Sequence, residues 1–565
     1  MGWSIKEDGK QHTPENLFHI FEREEWDSYP FAGEEKLKWF RDAKLGLFLH
    51  VGISAVGKVD IGWSRHTHKF PDPGTGTIPD EIYDGWSKEL KMEKFCAEEW
   101  VQLAVNGGFR YVVIITKHHD GFHMWDTKYS DYKITNTPVQ RDYVGELVEA
   151  CHKKGMPIGL YYSQRDWVHP DYEPIDTRIA EASEYPPYYC LREGEQLRSG
   201  KKHKKYLEYM QNTVLELMQK YGKIDILWWD ADWSGGMYTK EMWNSLEIEE
   251  KVRQLQPDII INNRAGVPGD FDTPESQVGF VQRDRAWETC MPMGKDWAWT
   301  GKGIKSFKEI LNQMIGCICG DGNYLLSVGA KADGTIPEEE AQGILRLGKW
   351  CEDYGESIYS TRSGPWNPGN YGGSVYKDRF IYVHILNFNV VNGLNLPLTE
   401  EGIKDIQCIT GEKVLYSIRN KILYIEDIIG EVREDTILKI EMEVPVVVPE
   451  KGIDVKEVGN RFDRESIRYG SVLGIREFVE EIVLDLEKIY LVTAIVLEGK
   501  NTQWLVESSI DGEYWVSRYE KNEAKDRVEV KMERYKAGAV VPGDELRYVK
   551  IKTDGEKSCV YVYGL

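Results

Sequence analysis

From about residue 35 to 358, short apolar runs alternate with amphipathic stretches, a rhythm that predicts strands and helices in turn and so a parallel sheet covered by helices. The runs are 45–49, 111–116, 157–163, 224–230, 259–262 and 324–328. Between them Tyr143, Val144, Leu147, Val148 and Cys151, and then Tyr206, Leu207, Met210, Val214, Leu217, Met218 and Tyr221, recur at the spacing of one helix face. Both stretches end in a stop signal. His152-Lys-Lys-Gly155 and Lys220-Tyr-Gly222 put cations in the last turn and a glycine just beyond it, which suits the helix dipole and a left-handed C-cap. Eight such units need about 250 residues, so residues 1–358 fit a (β/α)8-like TIM barrel with insertions. A doubly wound open sheet competes, but no Gly-rich phosphate turn follows a strand.

After Trp366-Asn-Pro-Gly-Asn-Tyr-Gly-Gly373 the pattern changes to alternating strands, at 380–388, 414–418, 423–429 and 437–448. This predicts a β-sandwich over 366–449. Beyond Pro449-Glu-Lys-Gly452, alternation at Ile482, Leu484 and Leu486 and at Val549 and Ile551 predicts a second all-β domain, 453–565.

Composition narrows the function. Of 565 residues, 71 are Lys or Arg and 93 Asp or Glu, a net charge of −22. Such a chain is repelled by phosphate backbones and anionic headgroups, and the one dense basic run, Lys201 to Lys205, is short. Neither nucleic acid nor membrane is an expected partner. The N-terminus has no basic segment followed by an apolar one, and no run of about 18 apolar residues occurs. The sequence as it stands therefore reads as cytoplasmic, or as secreted should a leader have preceded it. Nine scattered Cys without a CxxC pair signal neither a disulfide framework nor a zinc ribbon. The 19 Trp and 32 Tyr suit sugar binding, where apolar ring faces stack on indoles.

Polar residues fall where a barrel would use them. His50, Lys117-His-His-Asp120, Tyr161, Tyr162, Asp230 and Arg264 lie at or after the ends of the apolar runs, and in a βα barrel those ends share one face. In Trp228-Trp-Asp230-Ala-Asp232, a carboxylate beside indoles is a candidate nucleophile; Asp230 and Asp232 are both open. Glycoside hydrolysis needs a second carboxyl. Asp270-Phe-Asp-Thr-Pro-Glu275, in a predicted Gly/Pro-rich loop, and Trp287-Glu288 supply two candidates. His118 and His119 with Asp120 form no full metal shell, so no metal or other cofactor is expected. Cys290 reads as a buried thiol.

These residues carry a resemblance. Trp39-Phe-Arg-Asp-Ala-Lys-Leu-Gly-Leu-Phe-Leu-His50, Lys117-His-His-Asp-Gly-Phe122, Gly159-Leu-Tyr-Tyr-Ser163, Leu227-Trp-Trp-Asp230, Trp287-Glu-Thr-Cys290 and Gly322-Asn-Tyr-Leu-Leu-Ser-Val-Gly329 stand in the order found in the family-29 glycoside hydrolases, the α-L-fucosidases, which the chain resembles from roughly 39 to 364. The resemblance implies a (β/α) barrel followed by a β-sandwich and metal-free retaining removal of terminal α-L-fucose from glycans or oligosaccharides, and it leaves an oligomer open. It implies Asp230 as nucleophile and offers both Glu275 and Glu288 as acid/base. It places His50, Trp63, His118, His119, Tyr161, Trp228 and Arg264 around the sugar.

The chain departs from the family at Gly62-Trp63, where a Glu-Trp pair is usual, and at Ser327 and Ala330, which replace Asn and Pro. The Ser327 and Ala330 exchanges are expected to affect packing more than chemistry. The last domain is similar to discoidin-type carbohydrate-binding modules through Glu481-Ile-Val-Leu-Asp-Leu486, Glu507-Ser-Ser-Ile-Asp-Gly512 with Trp515, and Leu546-Arg-Tyr-Val-Lys-Ile551. The competing readings are an inactive sugar-binding protein and an exo-glycosidase for a related sugar such as L-galactose.

Overall fold

Seven strands, β1 (Leu45–His50), β2 (Tyr111–Lys117), β3 (Ile158–Tyr162), β4 (Ile226–Trp229), β5 (Ile260–Ile261), β6 (Glu288–Pro292) and β7 (Asn323–Gly329), pair in parallel in the order β5-β4-β3-β2-β1-β7-β6. The computed structural model describes residues 4–5, 10–12, 20–65, 78–172, 201–230, 240–276, 278, 281–369, 371–387, 394–398, 402–430, 433–453, 455–457 and, with short interruptions, 471–564. Isolated parallel bridges from Asn262 to Phe271, Asp272 to Trp287 and Glu275 to Cys290 set residues 271–275 between β5 and β6. Parallel staves thus follow one another around the ring in chain order, the arrangement of a (β/α)8 barrel.

Helices α1 (Glu34–Ala43), α2 (Ala97–Asn106), α3 (Tyr143–Lys154), α4 (Lys201–Lys220), α5 (Ser245–Leu255), α6 (Phe307–Cys319) and α7 (Glu338–Tyr354) alternate with the strands. The side chain of Asp142 caps α3 by accepting from the Gly145 N–H at 3.0 Å, and Gly155 closes it in the left-handed region, φ 63. Strand residues divide by parity. Leu47, Leu49, Val112, Ile114, Leu160, Trp229 and Leu326 pack outward under the helices, while Phe48, Tyr111, Val113, Tyr161, Trp228, Phe271 and Leu325 fill the barrel. Burial on both faces is what makes these strands read as continuous apolar runs. Gly46 makes room for one inward ring: a Cβ there would lie 2.3 Å from the Tyr111 side chain.

The two staves that the apolar pattern does not reveal are β6 and residues 271–275. They carry Asp272, Thr273, Pro274, Glu275, Glu288 and Thr289. Residues 271–275 of the predicted loop are therefore part of the barrel wall: Thr273 and Glu275 share the inward parity of Phe271 and meet Arg264, while Asp272 pairs with Arg285 and Gln282.

Beyond the barrel, β8 (Arg362–Ser363), β9 (Gly372–Lys377), β10 (Phe380–Ile385), β11 (Leu394–Pro397), β12 (Ile403–Cys408), β13 (Lys413–Arg419), β14 (Ile422–Ile429), β15 (Thr436–Met442) and β16 (Lys456–Glu457) form two antiparallel sheets, ordered β8-β9-β10-β15-β12 and β13-β14-β11-β16. Their shared core includes Trp366, Tyr371, Val383, Leu394, Leu423, Leu438 and Ile440. β16 pairs with β11, so the sandwich draws in chain beyond residue 453. A further seven-stranded antiparallel sheet, from Ser471–Phe478 to Ser558–Gly564, encloses its own core of Val492, Ile495, Leu497, Trp504, Val506, Val549 and Ile551. No described helix is long and apolar enough to cross a membrane.

Candidate active site

The C-terminal ends of the staves bring the predicted residues together. His50 ends β1, His118 and His119 follow β2, Tyr161 lies in β3, Asp230 follows β4, Arg264 follows β5, and Glu275 ends the polar stave. The Asp230 N–H donates to the Tyr162 carbonyl at 3.2 Å, extending the ladder by one residue. That gives Asp230 the inward parity of Ile226 and Trp228. Asp232 lies outside the described residues.

Asp230 is 8% exposed. Its Oδ2 accepts from the Tyr161 hydroxyl at 2.6 Å and its Oδ1 from Arg264 Nη1 at 2.8 Å. The same Nη1 donates to Glu275 Oε2 at 2.9 Å. The two nearest carboxylate oxygens therefore lie no farther apart than 2.8 Å and 2.9 Å laid end to end. Arg264 is itself fixed: Nε donates to Thr273 Oγ1 at 3.1 Å, Nη2 to the Thr273 carbonyl at 3.0 Å, and the guanidinium sits 4.7 Å from the centre of the Trp228 ring. The carboxylates beside it hold it firmly protonated against the cost of burial. Asp230 is closed in by its partners, whereas the Glu275 side chain is 37% exposed at the pocket mouth.

Three histidines and a set of rings make the wall. Burial pushes His50 down to about 3 and holds His118 and His119 well below the ordinary range, so all three are neutral at pH 7, each with one N–H donor and one acceptor nitrogen. His119 Nδ1 shares a 2.5 Å hydrogen bond with Ser163, and its Nε2 lies 3.7 Å from Asp230 Oδ2. His50 Nδ1 shares a 2.7 Å bond with the Ser327 hydroxyl. Ser327 thus acts on the site chemistry as well as on packing, because it fixes which His50 nitrogen faces the pocket. His118 stacks on Tyr161, ring planes 7° apart, and Tyr161 on Trp228. Trp63 packs edge-on against His119 and Trp167, and Trp297 lies 5.2 Å from His50.

At Gly62 the backbone is left-handed, φ +71, and a Cβ would lie 2.6 Å from His118 Nδ1, an atom with no hydrogen-bond partner among the described residues. No side chain can take the place of the usual Glu there without moving His118.

Glu288 stands apart from the other candidates. It is fully buried inside the barrel, where Oε1 accepts from Trp228 Nε1 at 3.0 Å and Oε2 from the Tyr111 hydroxyl. Burial pushes it up to about 7. Asp270 accepts from the backbone N–H groups of Ala32 and Ile261 and from Arg253, a structural role. Cys290 is buried and its thiol held well above the ordinary range. His118, His119 and Asp230 offer ligand atoms within 4.8 Å of one another. The guanidinium already on Asp230 opposes a cation there, and the donor set suits hydroxyl groups better.

Sequence reasoning missed Thr273, Ser163, Trp167 and Trp297, which hold or wall the site. Ser163 ends the Gly-Leu-Tyr-Tyr-Ser run and could have been found by the rule that picked Asp230 and His50. Trp297 carries no local signal.

Comparison with known proteins identifies the family. A family model described as alpha-L-fucosidase matches residues 22–356. The alpha-L-fucosidase of Dictyostelium discoideum is 26% identical over 375 residues, 61% of this chain and 75% of that protein. The tissue alpha-L-fucosidase of Rattus norvegicus is 27% identical over 358 residues, 58% of this chain and 70% of that protein. Among solved structures, alpha-L-fucosidase isoenzyme 1 from Paenibacillus thiaminolyticus is 28% identical with a TM-score of 0.62, covering 73% of this chain and 100% of that one. A Thermotoga maritima alpha-fucosidase, in complex with a mechanism-based inhibitor, is 25% identical with a TM-score of 0.55, covering 73% and 99%. With the barrel and a family match over more than half its length in agreement, the chain belongs to the α-L-fucosidase family of glycoside hydrolases.

Proposed function

We propose that this chain is an exo-acting, retaining α-L-fucosidase in which Asp230 is the nucleophile and Glu275 the acid/base, acting on fucosylated glycans or oligosaccharides. The observation that carries the reading is the single Arg264 nitrogen bonded to both carboxylates. It brings their oxygens close enough to match the separation of about 5 to 5.5 Å found in retaining enzymes, and not the wider gap of inverting ones. Glu288 is a poorer acid/base because both its oxygens are taken inside the barrel, out of reach of a glycosidic oxygen.

In the first step an Asp230 oxygen bonds to C1 of fucose as the bond from C1 to the aglycone oxygen breaks, and the Glu275 proton passes to that oxygen. The product is a β-linked fucosyl-aspartate. In the second, Glu275 takes a proton from water as the water oxygen bonds to C1, releasing α-L-fucose and restoring the carboxylate. The neutral His50, His118 and His119, with Trp63, face the sugar hydroxyls, and indoles cover its C5 methyl. Tyr161 and Arg264 hold Asp230 in one orientation before attack.

The test is release of p-nitrophenol from its α-L-fucoside. Wild type is expected to turn over. Asp230→Gly is expected to lose activity and to regain it with azide, giving β-fucosyl azide by direct displacement. No turnover by wild type on this substrate or on fucosylated oligosaccharides would sink the reading and favour a sugar-binding protein; turnover of the L-galactoside alone would shift it to the related sugar.

A further inference from the structure

Glu288 sits one inward position below Cys290 on β6, and Cys290 bridges to Glu275. Both oxygens of its carboxyl are taken up inside the barrel, so it acts on the site only through its partners. It accepts from Trp228 Nε1, and the other end of that contact is the indole face on which the Arg264 guanidinium rests. On the opposite side the Tyr111 hydroxyl holds the carboxyl, and Gly46 is the residue that leaves space for Tyr111. A buried carboxyl inside an apolar barrel costs stability unless it is fully hydrogen-bonded, and this one is placed where that cost is matched by fixing a ring.

We infer that Glu288 is a positioning residue: from inside the barrel it fixes the Trp228 indole and, through it, the Arg264 guanidinium that Asp230 and Glu275 share. The inference rests on the roles given above to Asp230 and Glu275. Among the described contacts, Trp228 meets both the interior carboxyl and the guanidinium, so loosening it removes the ring against which Arg264, tethered at its other edge by Thr273, is set between the two carboxylates. That change impairs both chemical steps, because each needs the two carboxyls correctly spaced. Loss of an acid/base has a different signature: it falls hardest on poor leaving groups and is relieved by azide.

The experiment compares Glu288→Leu, Glu288→Gln and Glu275→Ala on p-nitrophenyl and phenyl α-L-fucosides, with and without azide. Glu288→Leu is expected to lower kcat about 10- to 100-fold by the same factor on both substrates, with KM little changed and no fucosyl azide formed. Glu288→Gln keeps an oxygen for Trp228 Nε1 and an amide that Tyr111 can accept from, and is expected to recover most of that loss. Glu275→Ala is expected to lose activity mainly on the phenyl glycoside and to form α-fucosyl azide. Unchanged kinetics in Glu288→Leu, or equal losses in the Leu and Gln variants, would overturn the positioning role. A loss confined to the phenyl glycoside with α-fucosyl azide would instead make Glu288 the acid/base, and an azide-inert Glu275→Ala would overturn the earlier assignment separately. Should Glu288→Leu fail to fold, Trp228→Phe decides. It is expected to show the same leaving-group-independent loss with no fucosyl azide formed; unchanged kinetics, or a loss confined to the phenyl glycoside, would refute the link.

Discussion

At the scale of single residues, Arg264 concentrates the demands of the site. Its guanidinium reaches Asp230, Glu275, the Thr273 hydroxyl and the Thr273 carbonyl at once. A lysine ammonium keeps the charge but lacks the planar fork that meets these acceptors together. Arg264→Lys is therefore expected to lower kcat/KM by about 100-fold or more while the fold stays intact by circular dichroism, a loss of the size that misplacing reacting groups by about 1 Å produces. Gly62 gives a second prediction. Restoring the family's glutamate with Gly62→Glu does not restore a family contact, because the left-handed backbone and the close approach of His118 both oppose it. The variant is expected to lose activity and to melt lower than wild type. A gain in kcat/KM would show that the loop can move to admit the side chain.

Among the elements, the strands buried on both faces were legible because burial on both faces leaves only apolar residues. β1, β2, β3, β4, β5 and β7 coincide with the apolar runs, and α3 and α4 with the helical spacing and its stop signals. β6 and residues 271–275 were not legible as strands. Their inward positions hold Glu288 and the polar residues around Glu275, so function overwrote the apolar pattern in the part of the wall that carries the second carboxyl. Strand packing also supplies a test. Gly46→Ala on β1 puts a Cβ 2.3 Å from the Tyr111 ring and 2.7 Å from its hydroxyl. Overpacking of this kind costs about 1 to 3 kcal/mol. The expected result is a lower urea midpoint together with reduced kcat, since Tyr111 holds Glu288; an unchanged midpoint would mean that β1 yields at no cost.

For the whole molecule, barrel and sandwich share a core. Val375, Tyr382 and Ile437 of the sandwich pack in the same cluster as the helix-facing side of the barrel, and a Cβ on Gly373 would lie 2.6 Å from that of Cys319 on α6. Ion pairs from Arg362 to Asp42 and from Arg346 to Glu434 rim the contact. Truncation after residue 361 exposes this apolar face and is expected to give aggregated, inactive protein, as read by gel filtration.

Buried titratable groups set the dependence of stability on pH. Burial pushes Glu249 and Asp272 up to about 7 and Glu340 up to about 8. The folded protein keeps protons that the unfolded chain gives up above a pH of about 4.4, so their contribution is full below that pH and is lost as pH rises through 7 and 8. His50 and His123, pushed down to about 3 by burial, act in the opposite direction, and their contribution is lost as pH falls from about 6.5 toward 3. Of these groups, the carboxyls are the ones that act above pH 6.5. Tm is therefore expected to fall between pH 7 and 9, and Glu340→Gln, which still accepts from the Gly329 N–H, is expected to flatten that fall.

The sequence by itself determined the kind of molecule: a βα barrel, read from the periods of its apolar residues, followed by β domains, with Asp230, Arg264 and the histidines at the strand ends. Those features are local, because a period or a strand end is written in adjacent residues. Only the tertiary structure distinguished Glu275 from Glu288, since two carboxylates thirteen positions apart on neighbouring staves differ in nothing local. One meets Arg264 at the open end of the barrel and the other meets Trp228 and Tyr111 inside it. Their difference lies in depth along the barrel, and depth is set by how the staves stagger when the ring closes.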